Sequence, residues 1–316
     1  MKAVQIQAPG QVAIVEVPVP EIAENEVLVK VECCVTCPHW DVSLYQGVDI
    51  FERPGYPHYP IPWGYPGHEM AGEVVATGAR VRELEVGDRV ATLCNAGEDR
   101  PGYYCELINR PENELAELPD GVSYEAGANM EMCRYIAPFR RVLAEVQGKR
   151  TGVTGVGPAG LIAVQMLRAL GAAEVVAVDV IPERLALAAR LGATDTVNSA
   201  TREIEKLDAD RLYATIDCSG VAAGLQTAMD HTVKSLYVFG VPHGEAIYST
   251  RHWGLNILSG AATPDEKDTE FVLDLWCQGL LNTDALVSVK LPFERYVDGI
   301  GMLVARKAVK VGFSPG

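Results

Sequence analysis

The stretch "RTGVTGVGPAGLIAVQMLRALGAAEVVAVDV", residues 150–180, constrains this chain more than any other. An apolar run leads into G-x-G-x-x-G, formed by Gly155, Gly157 and Gly160. A helical pattern follows, and the next apolar run ends on Asp179. Strand, glycine turn, helix, strand and acid in that order specify a phosphate-cradling βαβ unit; the glycine spacing alone would not. Gly155 permits the tight turn, Gly157 lets backbone approach a pyrophosphate, and Gly160 lets the helix lie close to the strand. The helix start offers unbonded N–H groups and the positive end of its dipole. A carboxylate at Asp179 accepts hydrogen bonds from ribose hydroxyls and repels a 2′-phosphate, which predicts NAD rather than NADP. Pro158 and Ala159 inside the turn, and Arg184 in the next helical segment, complete the expected cofactor-contacting set.

The surroundings extend the same pattern. "PERLALAARLGA" reads as a helix, and "ATIDCSG", "SLYVFGVP" and "NILSGA" as further strands. Alternation of this kind predicts a doubly wound parallel sheet with helices on both faces. Residues 1–125 differ: "AVQIQA", "QVAIVEV", "EVLVKVECCV", "EMAGEVVATG" and "LEVGDRVATL" are short strands between Gly and Pro breaks, a barrel pattern. "YEAGANMEMCRYIAPFRRVLAEV" has helical spacing with a break at Pro138, and "DTEFVLDLWCQGLL" is a helix before a strand-like tail. The length of 316 residues suits two domains. A formal net charge of −15 argues against a nucleic-acid or anionic-membrane partner. No apolar run reaches the roughly 20 residues that cross a bilayer, and the N-terminus lacks a signal-peptide core. The eight cysteines are scattered, as expected for reduced thiols in the cytoplasm.

The residues that can carry chemistry cluster in "CPHWDVSLYQG", with Cys37, His39 and Asp41, and in "PGHEMAGEV", with His68 and Glu69. With these motifs the whole chain resembles the medium-chain dehydrogenase/reductase family, in its zinc alcohol and polyol branch, which includes sorbitol- and threonine-dehydrogenase-like members. "MKAVQIQAPGQVAIVEVPVPEIAENEVLVKVECCVTC" is similar to that family's opening, "PGHEMAGEVVATGARVRELEVGDRV" to its Gly-His-Glu segment, and "VKLPFERYVDGIGML" to its C-terminal segment. The resemblance implies a GroES-like β-barrel catalytic domain, 1–133 and 262–316, with a Rossmann NAD-binding domain, 134–261, inserted between.

It also implies one catalytic Zn²⁺, with Cys37 and His68 as ligands and Glu69 beside them as an alternate. A third protein ligand is expected from the segment before the Rossmann domain. There "ANMEMCRY" offers Glu131, as in the polyol branch, with Cys133 as the rival that alcohol dehydrogenases would use. Three departures stand out. "CPHWD" has one residue more than the family's Cys-x-Thr/Ser-Asp, so His39 takes the proton-relay place in preference to Trp40, and Asp41 remains a supporting residue. The loop "GVDIFERPGYPHYPIPWGYP" is long, and its Tyr56, Tyr59 and Trp63 are candidates to line a substrate pocket. Only Cys94 and Cys105 occur where many relatives hold a structural zinc with four cysteines.

The expected activity is hydride transfer between a secondary alcohol (a sugar, polyol or cyclitol) and NAD. The partners are a small-molecule alcohol or ketone and further copies of the chain, as a homodimer or homotetramer. The rivals are a zinc-independent NAD(P)H reductase of the same fold and a catalytically silent NAD-binding module.

Overall fold

The computed structural model describes residues 1–95, 97–143, 145–259 and 263–316. In chain order the first elements are β1 (Lys2–Ala8), β2 (Gln11–Glu16), β3 (Glu26–Val35), α1 (Pro38–Gln46), β4 (Glu69–Thr77), β5 (Arg89–Thr92), β6 (Leu107–Pro111) and β7 (Leu115–Glu117). Three short helices follow, α2 (Tyr124–Gly127), α3 (Met130–Ile136) and α4 (Phe139–Val142). Then come β8 (Arg150–Thr154), α5 (Pro158–Ala169), β9 (Glu174–Asp179), α6 (Pro182–Arg190), β10 (Asp195–Asn198), α7 (Glu205–Ala209) and β11 (Leu212–Asp217). The chain closes with α8 (Ala222–His231), β12 (Thr232–Val238), β13 (Asn256–Ser259), α9 (Glu266–Cys277), β14 (Val287–Pro292), α10 (Tyr296–Val304) and β15 (Lys310–Ser314).

The chain forms two compact units, Met1–Met132 with Thr283–Gly316, and Cys133–Asn282. The first crossing falls inside α3, next to the expected boundary at 133. The expected return at 261–262 lies outside the described residues. The compact units place the return at Thr283 and group α9 with the second unit. The physical reason is a set of contacts the sequence does not show. Asp268 of α9, fully buried, pairs with Arg140 at 3.0 Å and Arg141 at 2.8 Å. Thr269 accepts from Arg134 at 2.9 Å.

In the first unit, β3 alternates inward-facing Val27, Val29 and Val31 with more exposed neighbours, as a half-buried strand must. Its sheet runs β14-β15-β3-β4-β5-β7, with β6 also pairing on β3. The C-terminal strand β15 is antiparallel to β3, so the tail completes the barrel sheet that the N-terminal residues begin. Tyr104, Tyr296 and Phe313 fill the core with ring centroids 5.1–5.6 Å apart.

The second unit holds six parallel strands in the order β10-β9-β8-β11-β12-β13. Numbered from β8 this is the doubly wound order in which the connection reverses direction beside the first strand. Residues Gly160 to Leu167 of α5 are all buried, and Gln165 is the one polar side chain among them, which explains why this helix is apolar on most of its circumference.

Candidate metal centre and cofactor turn

Strand register brings the chemistry of the first unit together. Val35, the last residue of β3, pairs with Glu69, the first of β4. Cys37 lies just beyond one and His68 just before the other. Thr36 donates its N–H to the Val311 carbonyl at 2.9 Å, which draws the start of β15 to the same place. The ligand atoms of Cys37, His68 and Glu69 consequently lie within 4.8 Å of one another, and all three residues are buried. Among the described residues this is the one His/Cys/Asp/Glu group gathered in that way.

Each donor is prepared. His68 Nδ1 is 2.8 Å from the Pro66 carbonyl, so it carries the proton and leaves Nε2 with a free lone pair. Burial lowers its pKa to about 4, which keeps the ring neutral. Glu69 Oε2 accepts from the ammonium of Lys310, both side chains being fully buried. Glu69 Oε1 is buried without a hydrogen-bond partner, 3.9 Å from His68 Nε2. Burial pushes the Glu69 carboxyl upward while Lys310 acts in the opposite sense. Burial also pushes the Cys37 thiol well up. A thiol, an imidazole nitrogen and an orphaned carboxylate oxygen, converging and dry, are a donor set that fits Zn²⁺.

Cys37 is the N-cap of α1, with Pro38 in the first turn, so the "CPHWD" segment is helical. Asp41 Oδ2 accepts the Cys37 N–H at 2.8 Å, and Oδ1 accepts the hydroxyls of Tyr104 at 2.7 Å and Tyr296 at 2.8 Å. Asp41 therefore fixes the backbone of Cys37. Its burial raises its pKa to about 6 against those three bonds. His39 sits half-buried in the first turn of α1. The Trp40 ring stands edge-on to His68, with centroids 6.3 Å apart. Glu131 and Cys133 are both buried on α3, and neither is one of the gathered trio. Cys105 spends its thiol on the carbonyls of Gly102 and Leu107, at 3.4 and 3.3 Å.

The long loop anchors the three aromatics expected to line a pocket. Tyr59 donates to the Leu44 carbonyl at 2.5 Å, Trp63 packs on the barrel core, and Tyr56 lies under the Arg53 guanidinium at 3.8 Å. Phe51 and Tyr65 are the loop rings that reach Trp40, at 5.8 and 6.3 Å. Lys310 went unnoticed in the sequence, although a lysine inside the apolar run "AVKVGF" asks for a buried counter-ion.

In the second unit the glycines behave as their spacing requires. Gly155 has φ +77°, and a Cβ there would lie 2.4 Å from Ser219 Cα. A Cβ on Gly160 would lie 2.0 Å from the Gly155 carbonyl oxygen. A Cβ on Gly157 would meet only the Arg184 guanidinium, at 3.8 Å, so the turn is open there. Pro158 and Ala159 start α5. Asp179 Oδ2 accepts the Val156 N–H at 2.8 Å, and Oδ1 accepts those of Val180 and Ile181 at 2.7 and 3.0 Å. Asp217, also missed in the sequence, ties β11 to the turn by accepting Thr154 Oγ1 at 2.7 Å.

Comparison with known proteins agrees with this arrangement. The alcohol dehydrogenase GroES-like domain family matches residues 23–120, and the zinc-binding dehydrogenase family matches residues 158–262. YphC of Escherichia coli (strain K12), described as an uncharacterized zinc-type alcohol dehydrogenase-like protein, is 31% identical over 264 residues, 73% of this chain and 74% of its own. The chain belongs to the zinc-type alcohol dehydrogenases. Sorbitol dehydrogenase of Bombyx mori is 29% identical to this dehydrogenase over 262 residues, 72% of each chain. The crystal structure of 2R,3R-butanediol dehydrogenase from Bacillus subtilis superposes with a TM-score of 0.85 at 26% identity, covering 100% of this dehydrogenase and 99% of that chain. This dehydrogenase is thus an oxidoreductase of alcohols with a GroES-like barrel and a Rossmann unit. No helix among its described residues is long and apolar enough to cross a membrane.

Proposed function

We propose that this dehydrogenase oxidises a secondary alcohol of the sugar, polyol or cyclitol class with NAD, reversibly, using one zinc ion held by Cys37 and His68 with a carboxylate. The buried convergence of Cys37, His68 and Glu69 carries this reading. Glu131, buried on α3, is the standing third ligand by its likeness to the polyol branch, and Glu69 is the alternate. Bound zinc supplies a Lewis acid that lets an alcohol hydroxyl lose its proton near neutral pH, and NAD supplies the hydride acceptor.

The chain's own groups do the rest. The Pro66 carbonyl holds the His68 ring in one tautomer. Asp41 fixes Cys37 through its backbone. Lys310 balances the charge of Glu69, and His39 receives the substrate proton. In the second unit Gly157 leaves space for the pyrophosphate, and Arg184 beside it faces the phosphate charge. The acceptor capacity left on Asp179 after three backbone bonds serves the ribose. The enzyme works in the cytoplasm as a homodimer or homotetramer, and the scatter of its eight cysteines along the chain supports the cytoplasmic reading.

Metal analysis of variants tests the ligand set. Glu131 and Cys133 lie two apart on α3, about 200° around its axis, so one of them at most faces the metal. Glu131→Ala is expected to lose zinc and NAD reduction, while Cys133→Ala keeps both. Zinc retained in Glu131→Ala but lost in Glu69→Gln would move the third ligand to Glu69. Zinc lost only in Cys133→Ala would assign the site to the alcohol branch and remove the main support for a polyol.

A further inference from the structure

Cys37 is tied to one residue at both of its main-chain polar groups. Its N–H donates to Asp41 Oδ2 at 2.8 Å, and its carbonyl accepts the Asp41 N–H at 2.9 Å. Whatever holds Asp41 therefore holds Cys37, and those holders come from far along the chain. Tyr104, 63 residues on, and Tyr296, 255 residues on, both donate their hydroxyls to Asp41 Oδ1, at 2.7 and 2.8 Å. Asp41 and Tyr296 are 1% exposed and Tyr104 0%, so bulk water cannot replace either hydroxyl.

Tyr104 also reaches the support of His68. Its N–H donates to the Gly64 carbonyl at 3.1 Å, and the N–H of Tyr103 donates to the Gly67 carbonyl at 2.9 Å. Gly64 to Gly67 is the turn whose Pro66 carbonyl holds His68. The fit is close: a Cβ on Gly67 would lie 2.9 Å from Tyr104 N. Tyr296 comes from α10 in the C-terminal segment, which grips the other neighbour of Cys37 as well. Thr36 donates its N–H to the Val311 carbonyl and accepts the Val311 N–H on Oγ1, both at 2.9 Å. The aromatic core does not need the tyrosine hydroxyls, since phenyl rings would fill it without burying two O–H groups and a carboxylate.

We propose that Tyr104 and Tyr296 are positioning residues for the metal centre: through Asp41 they fix Cys37, so that metal affinity depends on the docking of α10. This rests on the reading of Cys37 as a zinc ligand. A ligand already held in place has less freedom to lose when the ion binds. Without either hydroxyl, Asp41 Oδ1 loses a donor in a dry site and no longer presents Oδ2 to Cys37 in one orientation. The coupling is reciprocal, so bound zinc in turn holds α10 in place.

The test measures zinc affinity by chelator competition in the full chain and in Tyr296→Phe and Tyr104→Phe, each variant keeping its ring. The dissociation constant is expected to rise about ten- to a hundredfold in each. The cobalt-substituted protein should show a shifted thiolate charge-transfer band, which reports the Cys37 sulfur directly. Zinc should slow amide exchange across residues 296–304 in the parent, and less so in Tyr296→Phe. Phe313→Leu is the control. It loosens the same aromatic cluster without touching Asp41, so it should lower the melting temperature and keep zinc affinity within twofold. Affinity and cobalt band unmoved in folded Tyr104→Phe would overturn the proposal. So would an equal loss of affinity in Phe313→Leu, which would reduce the effect to stability alone. A parent chain that takes up no zinc would overturn the ligand reading itself, a result distinct from a parent that binds zinc no more tightly than its two variants.

Discussion

The proposed function gives Asp179 two jobs with one carboxylate. Its charge is proposed to oppose a 2′-phosphate, and its oxygens accept the N–H groups of Val156, Val180 and Ile181, the first of which lies within the glycine turn. Asp179→Ala is therefore expected to narrow the preference for NAD over NADP at least tenfold and also to lower stability by about 1–3 kcal/mol, since buried N–H groups lose their acceptor. Steady-state kinetics with both cofactors and urea unfolding measure the two effects separately. An unchanged urea midpoint would show that the three bonds add nothing. Lys310 poses a related case with the opposite charge. It is fully buried and its ammonium binds Glu69. Lys310→Met strands the Glu69 carboxylate in an apolar site, and a destabilisation of about 3–5 kcal/mol is expected in the metal-free protein. A urea midpoint equal to that of the parent would mean Glu69 is neutral in the folded chain.

The turn from β8 into α5 was readable because each glycine answers a separate steric demand. Gly160→Ala would drive a Cβ against the Gly155 carbonyl oxygen at 2.0 Å, so it is expected to destabilise the turn and abolish NAD binding together. Gly157→Ala meets nothing closer than Arg184 at 3.8 Å. It should fold with an unchanged melting temperature yet bind NAD at least tenfold more weakly, because its methyl stands where a pyrophosphate would approach. Fluorescence titration with NADH and a thermal melt separate the two variants, and equal behaviour would refute the steric account. The helix α1 was harder to read. "CPHWDVSLYQG" has Cys37 as a cap without a capping side chain and weak apolar periodicity, so only Pro38 at its start and Gly47 at its end signal a helix. The helix exists because the Cys37 N–H finds Asp41 and because Leu44 is buried against Ile6, Ile61 and Tyr65.

Whole-chain organisation makes a metal count predictable. In the 94–105 segment Cys105 is bonded to backbone carbonyls, and the segment is held by arginines. Arg53 binds Glu98, Arg100 binds Glu114 at 3.1 Å, and Arg110 donates to the Pro101 carbonyl. About one zinc per chain is expected by elemental analysis, and a chelator that removes it should end NAD reduction while far-UV circular dichroism persists. Two zincs per chain would contradict this. Local patterns in the chain were enough to specify the two kinds of sheet and the glycine turn between β8 and α5, since each depends on spacing over a few neighbours, whereas Cys37 and His68 were expected as ligands from the family resemblance. The pairing of Val35 with Glu69, the return of β15 to supply Lys310, and the capture of α9 by Arg140 and Arg141 depend on long-range register and burial. The same holds for which rings meet Trp40, itself edge-on to His68: Phe51 and Tyr65. Composition makes such residues available, but only the folded sheet, by bringing together strands far apart in the chain, decides which side chains end up facing one another.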